Sequence, residues 1–180
     1  MENNYTIKEN VMNNQPLEIE RKYLIKMPEC SVLSLQPGYF RTEMTQIYIA
    51  TPDGFDGRIR KSTRKDGTVY TKTYKRDITD IKRIEIEQEI SAQEYQRLTS
   101  YILENTKPIV KVRHSFEYDN KLLEIDIYEF WDDRATLEIE LTSEDEQVSL
   151  PDFIELIKEI TCDKRYRNFA LARAVPEEEI

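Results

Sequence analysis

Histidine is nearly missing from this 180-residue chain: His114 stands alone beside 35 acids and 26 Lys and Arg. That scarcity excludes His-rich zinc centres and two-His iron sites, which draw their ligands from imidazole. The two cysteines, Cys30 and Cys162, form no CxxC pair, which excludes a disulfide framework and a structural zinc site of the usual spacing. Four glycines (Gly38, Gly54, Gly57 and Gly67) make neither GxGxxG nor a Walker loop. Any phosphate bound here is therefore held by side chains. No stretch nears the roughly 18 consecutive apolar residues of a membrane helix. Residues 1–16, with five Asn and the charges of Glu2, Lys8 and Glu9, lack the apolar run of a signal peptide. A cytoplasmic protein without a membrane partner is expected. The net charge of −9 argues against nucleic acid as a whole-surface partner, yet it leaves an anionic small molecule open, because local charge decides that.

What the chain does have is alternation. The length predicts one domain over 17–173, with a flexible polar arm at 1–16 and an acidic tail at 174–180. Period-two patterning predicts eight strands, over 17–26, 45–50, 57–62, 68–76, 82–90, 109–118, 121–130 and 135–141. The short polar connections Lys65-Asp66-Gly67 and Asp119-Asn120 predict antiparallel hairpins. Ser91 with Glu94 forms a capping-box signature opening a helix over 92–104. Phe153, Ile154, Ile157 and Ile160 at helical spacing predict a second over 151–160, and a third is expected over 164–173, with a turn at 28–34. The fold class is α+β, built on an eight-stranded antiparallel sheet.

Successive strand residues point to opposite faces. One face then collects Glu18, Glu20 and Lys22; Arg58 and Arg60; Thr71, Thr73 and Lys75; Arg83, Glu85, Glu87 and Glu89. Lys111 and Arg113, Glu124 and Asp126, and Glu138 and Glu140 join it. The other face is apolar, and amphipathic helices need such a surface, so the charged face points away from them. Closing the strands into a barrel would enclose it. Sixteen ionisable groups in one enclosure are costly unless paired or occupied. Carboxylates without His or Cys suit hard cations such as Mg²⁺ or Mn²⁺, and Lys and Arg rows suit phosphate oxygens. Together they suit a metal–polyphosphate complex. The bland alternative is a solvated face laced with salt bridges. An outer-membrane barrel also alternates, but the intervening helices and outward Arg21, Lys61 and Lys72 count against it. Parity likewise excludes Lys72 from the charged face, and His114 and Trp131 read as packing residues.

The order of these pairs carries a resemblance. Glu18-Ile-Glu20-Arg-Lys22 is followed by Gln46-x-Tyr48, Arg58-x-Arg60, Thr73-x-Lys75 and Arg83-x-Glu85-x-Glu87. Then come Lys111-x-Arg113, Glu124-x-Asp126, Glu138-x-Glu140 and Asp163-Lys164-Arg165-Tyr166-x-Asn168. This set resembles the CYTH superfamily of triphosphate tunnel metalloenzymes, and its ending looks most like the small bacterial inorganic tripolyphosphatases. The resemblance implies a closed eight-stranded tunnel wrapped by helices. It also implies metal-dependent hydrolysis of tripolyphosphate to pyrophosphate and phosphate by water attack. Asp126, Glu138 and Glu140 would be the main ligands of Mg²⁺ or Mn²⁺. Glu18 and Glu20 would add ligands or hold a second, water-activating ion, and Glu85 and Glu87 would coordinate metal or orient bases. Lys22, Arg58, Arg60, Lys75, Lys111 and Arg113 would clamp phosphates. Arg83 would join them or pair with glutamates, and Arg165 would cap the tunnel mouth. Tyr48 would assist proton transfer with a lysine, making Lys75, Tyr48, Glu18 and Glu20 the catalytic group. Thiamine triphosphatase, nucleoside triphosphatase and class IV adenylate cyclase activities stay open, as do a non-catalytic polyphosphate-binding module and a homodimer.

Overall fold

The computed structural model describes residues 17–51, 56–77 and 82–178; the side chains at 17, 18, 56, 75–77 and 82–85 fall outside that description, as does the polar arm 1–16. Nine strands form one antiparallel sheet: β1 (Leu17–Lys26), β2 (Phe40–Ile49), β3 (Asp56–Arg64), β4 (Gly67–Asp77), β5 (Lys82–Ile90), β6 (Ile109–Tyr118), β7 (Lys121–Tyr128), β8 (Arg134–Glu140) and β9 (Leu156–Glu159). Their spatial order is β5-β4-β3-β2-β6-β7-β8-β1-β9. β5 also pairs with β1, at Leu17↔Ile84, Glu18↔Arg83 and Ile19↔Lys82, so the strand at one end of the order meets a strand near the other.

The β6–β7 hairpin turns where the sequence places it, with Asp119 at φ 50 and Asn120 at φ 57. Two left-handed residues match the right-handed twist of the flanking strands, and Asp and Asn tolerate that region better than most side chains. The β3–β4 hairpin closes on the pair Arg64↔Gly67. β2 begins at Phe40, earlier than the alternation predicts, because Phe40↔Ser115 and Thr42↔Arg113 extend its ladder with β6.

The helices are the main departure. The expected helix over 151–160 is instead β9, a short edge strand. β1 has an open edge at Tyr23–Ile25, and Glu159, Lys158 and Leu156 pair with it there. Lys26 N donates to Glu155 O (2.9 Å) and Ile160 N to Lys22 O (2.8 Å), which seats both ends of the strand. Satisfying backbone groups on a neighbouring strand outweighs the helical spacing of the isoleucines. Helices α1 (Cys30–Leu33), α2 (Ala92–Leu98) and α3 (Asn168–Leu171) are short, and 3₁₀ turns cover Thr99–Tyr101 and Lys164–Tyr166. Ser91 Oγ caps α2 by accepting from Glu94 N at 3.0 Å, as its signature predicts. The helix stops early because Ala50 N donates to Tyr101 O and Ile102 bridges Ile49. Among the described residues the sheet is therefore not wrapped in long amphipathic helices. No helix among the described residues is long and apolar enough to cross a membrane.

The apolar face builds the core. Ile25, Leu123, Ile125, Leu137 and Ile139 are fully buried, with Leu33 of α1 and Ile154 packed against them. α2 lays Tyr95 and Leu98 over Ile47, Ile49 and Ile59. His114 is buried on this side with its Nδ1 2.9 Å from the Tyr39 hydroxyl, and burial pushes its pKa down. It is a packing histidine. The C-terminal segment does something different: Leu171 and Ala172 pack against Tyr48 and Tyr128, and Tyr166 packs against Leu24. Leu24, Tyr48 and Tyr128 share the parity of Lys22, Gln46 and Asp126, so the segment covers one end of the charged face with apolar groups. Truncating Ile125 to Ala, at the centre of the core, should lower unfolding free energy by about 2–5 kcal/mol. Leu35→Ala, at a residue 82% exposed, should change it by under about 0.5 kcal/mol. Urea denaturation of both checks the assignment of the core face.

Candidate active site on the charged face

Cross-strand register assembles the charged residues, because directly opposed positions share a face. Glu20 faces Glu140 and Lys22 faces Glu138 across β1–β8; Glu124 faces Glu138 across β7–β8; Arg113 faces Asp126 across β6–β7. The side chains then form two groups.

The first centres on Arg113. Its Nε and Nη2 donate to Asp126 Oδ1 and Oδ2, both at 2.7 Å, as a two-pronged fork. Nη2 also donates to Glu138 Oε2 at 2.6 Å, and Nη1 donates to Glu124. Lys111 Nζ donates to Asp126, and Lys22 Nζ lies 2.9 Å from Glu138 Oε1. Asp126 is fully buried, Lys111 is 3% exposed and Lys22 is 7% exposed, so these charges stand almost entirely on one another. Burial alone would raise the Asp126 and Glu138 carboxyls. The cations outweigh it, and both end below the usual range: Arg113 and Lys111 act on Asp126, Lys22 and Arg113 on Glu138. At Glu124 burial wins over Arg113 and the pKa rises. Lys111 is pulled down to about 8 by burial, against the attraction of Asp126.

The second group lies on β2–β5. Arg60 Nη2 donates to both oxygens of Glu87, at 3.2 and 3.0 Å, and Thr73 Oγ1 donates to Glu87 Oε2 at 2.8 Å. Arg58 Nη2 lies 3.7 Å from the same carboxylate, and its Nη1 donates to Gln46 Oε1 at 3.3 Å. Gln46 Nε2 in turn donates to the Tyr48 hydroxyl at 2.7 Å. Tyr48 is buried, edge-on to Phe169 with centroids 5.0 Å apart. A third contact ties the covered end to the first group. Tyr128 OH donates to Asn168 Oδ1 at 2.7 Å and lies 3.3 Å from Thr136 Oγ1, while Lys111 Nζ sits 5.6 Å from the Tyr128 ring.

The structure thus brings together Lys22, Lys111, Arg113, Asp126 and Glu138 in one group and Tyr48, Arg58, Arg60 and Glu87 in the other. Glu20 is half-buried and Glu140 exposed, facing one another at the edge of the first group. Glu18, Lys75, Arg83 and Glu85 lie on the strands with Glu18↔Arg83 and Lys75↔Glu85 opposed, and their side chains are outside the described residues. Arg165 sits in neither group: it is exposed and pairs with Asp163 (2.6 Å) and Glu178 (2.8 Å). Lys72 lies 5.5 Å over the Tyr74 ring, in keeping with its parity. Trp131 packs edge-on to Tyr128 and Phe130. Three contributors escaped the list of site residues although their motifs were in view. Glu124 is the third carboxylate on Arg113, Gln46 links Arg58 to Tyr48, and Asn168 anchors the C-terminal segment.

The donor set is all oxygen, which suits a hard divalent cation. Among the described residues, however, no group of three ligands stands ready for an ion. Glu124, Asp126 and Glu138 converge instead on a cation the chain supplies, the Arg113 guanidinium. They fit a metal in chemistry and in convergence, provided Arg113 yields to it. Replacing Arg113 with Met should therefore leave Glu124 without its ion-pair partner and Asp126 and Glu138 with one lysine each, and cost about 3–5 kcal/mol, the scale of breaking a buried pair. Chemical denaturation in chelator measures this, and a loss below about 1 kcal/mol would show that the cluster is not held by Arg113.

Comparison with known proteins points the same way. A family model described as CYTH domain matches residues 16–166. An inorganic triphosphatase of Nitrosomonas europaea is 30% identical over 162 residues, spanning 88% of this chain and 99% of that protein. A solved structure of an inorganic triphosphatase superposes with a TM-score of 0.57 at 28% identity, covering 89% of this chain and 97% of the other. A Pyrococcus horikoshii structure, TM-score 0.53 at 21% identity over 71% of this chain and 80% of its own, shares the fold.

Proposed function

The chain belongs to the CYTH domain family, and from that premise we propose that it is a divalent-metal-dependent triphosphatase that hydrolyses inorganic tripolyphosphate to pyrophosphate and phosphate. The observation that carries the proposal is the Arg113 cluster. Three carboxylates and two further bases meet there in a buried space, each group holding the charge that its partner lacks. The β5–β1 pairing supports a closed tunnel around that space. The partner we assign is a small-molecule triphosphate, and the place of action the cytoplasm.

In this reading Asp126, Glu138 and Glu140 would hold Mg²⁺ or Mn²⁺, Glu124 would add a fourth carboxylate, and Glu18 and Glu20 would complete the set. The ion supplies charge neutralisation at phosphate oxygens and a more acidic bound water. The chain's own bases do the rest. Arg58 and Arg60 present planar forks to the phosphates, and Arg113 would be free to turn from its carboxylates to the polyanion if a divalent cation took its place among them. Lys22, Lys111 and Lys75 add point charges. Glu87 and Gln46 fix the Arg58 and Arg60 planes, so little ordering is left for the bound state. To the Tyr48 hydroxyl, which accepts from Gln46 Nε2, we assign the passing of a proton from the attacking water together with a lysine. A water oxygen bonds to the terminal phosphorus as the bridging P–O bond breaks. Pyrophosphate leaves with the electron pair, and the water proton is released. Positioning and charge stabilisation suffice, without a covalent nucleophile.

Phosphate release from tripolyphosphate, run beside a panel of thiamine triphosphate, ATP and cyclic-AMP detection, tests the proposal. EDTA should abolish turnover and Mg²⁺ or Mn²⁺ restore it; full activity in thorough chelation rules the mechanism out. Arg60→Ala should lose on the order of 10²-fold in kcat/KM without rescue by added metal, whereas Glu138→Gln should be partly rescued by it. Lys72→Ala, on the opposite face, should stay within about threefold of wild type. Equal losses at Lys72 and Arg60 would mean the register argument is wrong.

A further inference from the structure

Each described base on the charged face has an acidic partner except one. Lys22 pairs with Glu138, Lys111 with Asp126, Arg113 with three carboxylates, and Arg58 and Arg60 with Glu87. Arg64 follows Arg58 and Arg60 on β3 with the same parity, at the last position before the β3–β4 turn. Among the described residues no carboxylate pairs with it. It is nonetheless held in place. Its guanidinium lies 4.4 Å over the Phe40 ring, and its Nε donates to Thr42 Oγ1 at 2.9 Å. Thr42 is fully buried and faces Arg113 across β2–β6, so Arg64 leans inward onto the charged face. The residue is exposed, at the end of β3 opposite the one covered by the C-terminal segment.

A fixed, exposed guanidinium with no counter-charge is an anion site in waiting. Spacing says which anion. Arg58 and Arg60 are about 7 Å apart along the strand, and Arg64 lies about 13 Å beyond Arg60 at the usual strand rise. That is far for a group serving the same three phosphates. The neighbouring strand ends carry exposed Glu89, Glu117 and Glu140, which repel a polyanion, while Lys65 in the β3–β4 turn adds a positive charge beside Arg64.

We propose that Arg64, positioned by Phe40, forms an outer phosphate subsite that takes the emerging end of inorganic polyphosphates longer than three phosphates. The inference rests on the triphosphatase reading for the inner site, and names a longer inorganic chain as a further substrate class. Arg64 contacts the chain directly, and Phe40 acts through Arg64.

The test compares kcat/KM for a medium-length linear polyphosphate with kcat/KM for tripolyphosphate. Arg64→Ala should lower that ratio at least fivefold and Phe40→Leu about two- to threefold. Lys61→Ala removes the same charge from the outward face of β3 and should leave the ratio within twofold of wild type. A ratio unmoved by Arg64→Ala overturns the subsite. So does an equal fall in Lys61→Ala, which would make the effect one of general charge. With ATP as the comparison substrate, a larger Arg64→Ala loss on ATP than on the longer inorganic chain would overturn it in favour of a heterocycle stacked on the guanidinium. Should wild type turn over no polyphosphate at all, the triphosphatase reading fails. Calorimetric binding of the longer chain to wild type and Arg64→Ala then decides the subsite alone: fivefold weaker binding in the variant supports it, and equal binding overturns it.

Discussion

One guanidinium holds three carboxylates, and the charged interior depends on that arrangement. Without Arg113, Glu124 would lose its ion-pair partner, and Asp126 and Glu138 would keep only Lys111 and Lys22, in a space where burial already opposes carboxylate charge. With it, two of the three fall below the ordinary carboxylate range. Such a cluster adds little net stability compared with an apolar filling, because desolvation offsets most of the attraction. Its presence is better understood as stored binding capacity. In the proposed reading every acid there is a metal ligand occupied by a base, and every base a phosphate donor occupied by an acid.

The sheet makes this possible through register alone. Direct opposition of Arg113 with Asp126, Lys22 with Glu138 and Glu124 with Glu138 puts unlike and like charges side by side at strand spacing. The alternate residues of the same strands fill the core, so a one-residue slip would bury charge in oil and expose the isoleucines. Tyr128 and Tyr48 mark where the polar face ends. Asn168 reaches the first through its hydroxyl, and Phe169 packs on the second, so the C-terminal segment closes that end with apolar mass and one satisfied polar contact. In the proposed reading, polyanions enter and leave at the far end, beside Arg64.

Much of this was legible in the sequence because period two encodes both the fold and the face. Arg58, Arg60, Arg113, Asp126 and Glu138 share one face as parity predicts, and Lys72 lies opposite Ile59 on the other. What escaped depends on tertiary competition. The isoleucines of 151–160 suit a helix, but an open β1 edge offered that backbone a better partner. The helix from Ser91 ended where Tyr101 and Ile102 found partners on or beside β2. Glu124 and Gln46 sat inside recognised pairs, yet their roles as a third carboxylate and a linking amide follow from side-chain geometry that spacing does not carry. Arg165 belongs to a motif at the right place in the chain, but Asp163 two residues earlier and Glu178 near its end hold it outside both groups.

The central claim is that metal and polyphosphate are admitted together, because each frees the residues that bind the other. Binding linkage tests this most directly. Mg²⁺ affinity would be measured calorimetrically with and without saturating imidotriphosphate, a hydrolysis-resistant triphosphate, correcting for the metal bound by the free ligand. The account predicts that each ligand tightens the other by about tenfold or more, a coupling of about 1.4 kcal/mol. Independent affinities would contradict it, since the acids and bases of the Arg113 cluster would then not be holding places for one another.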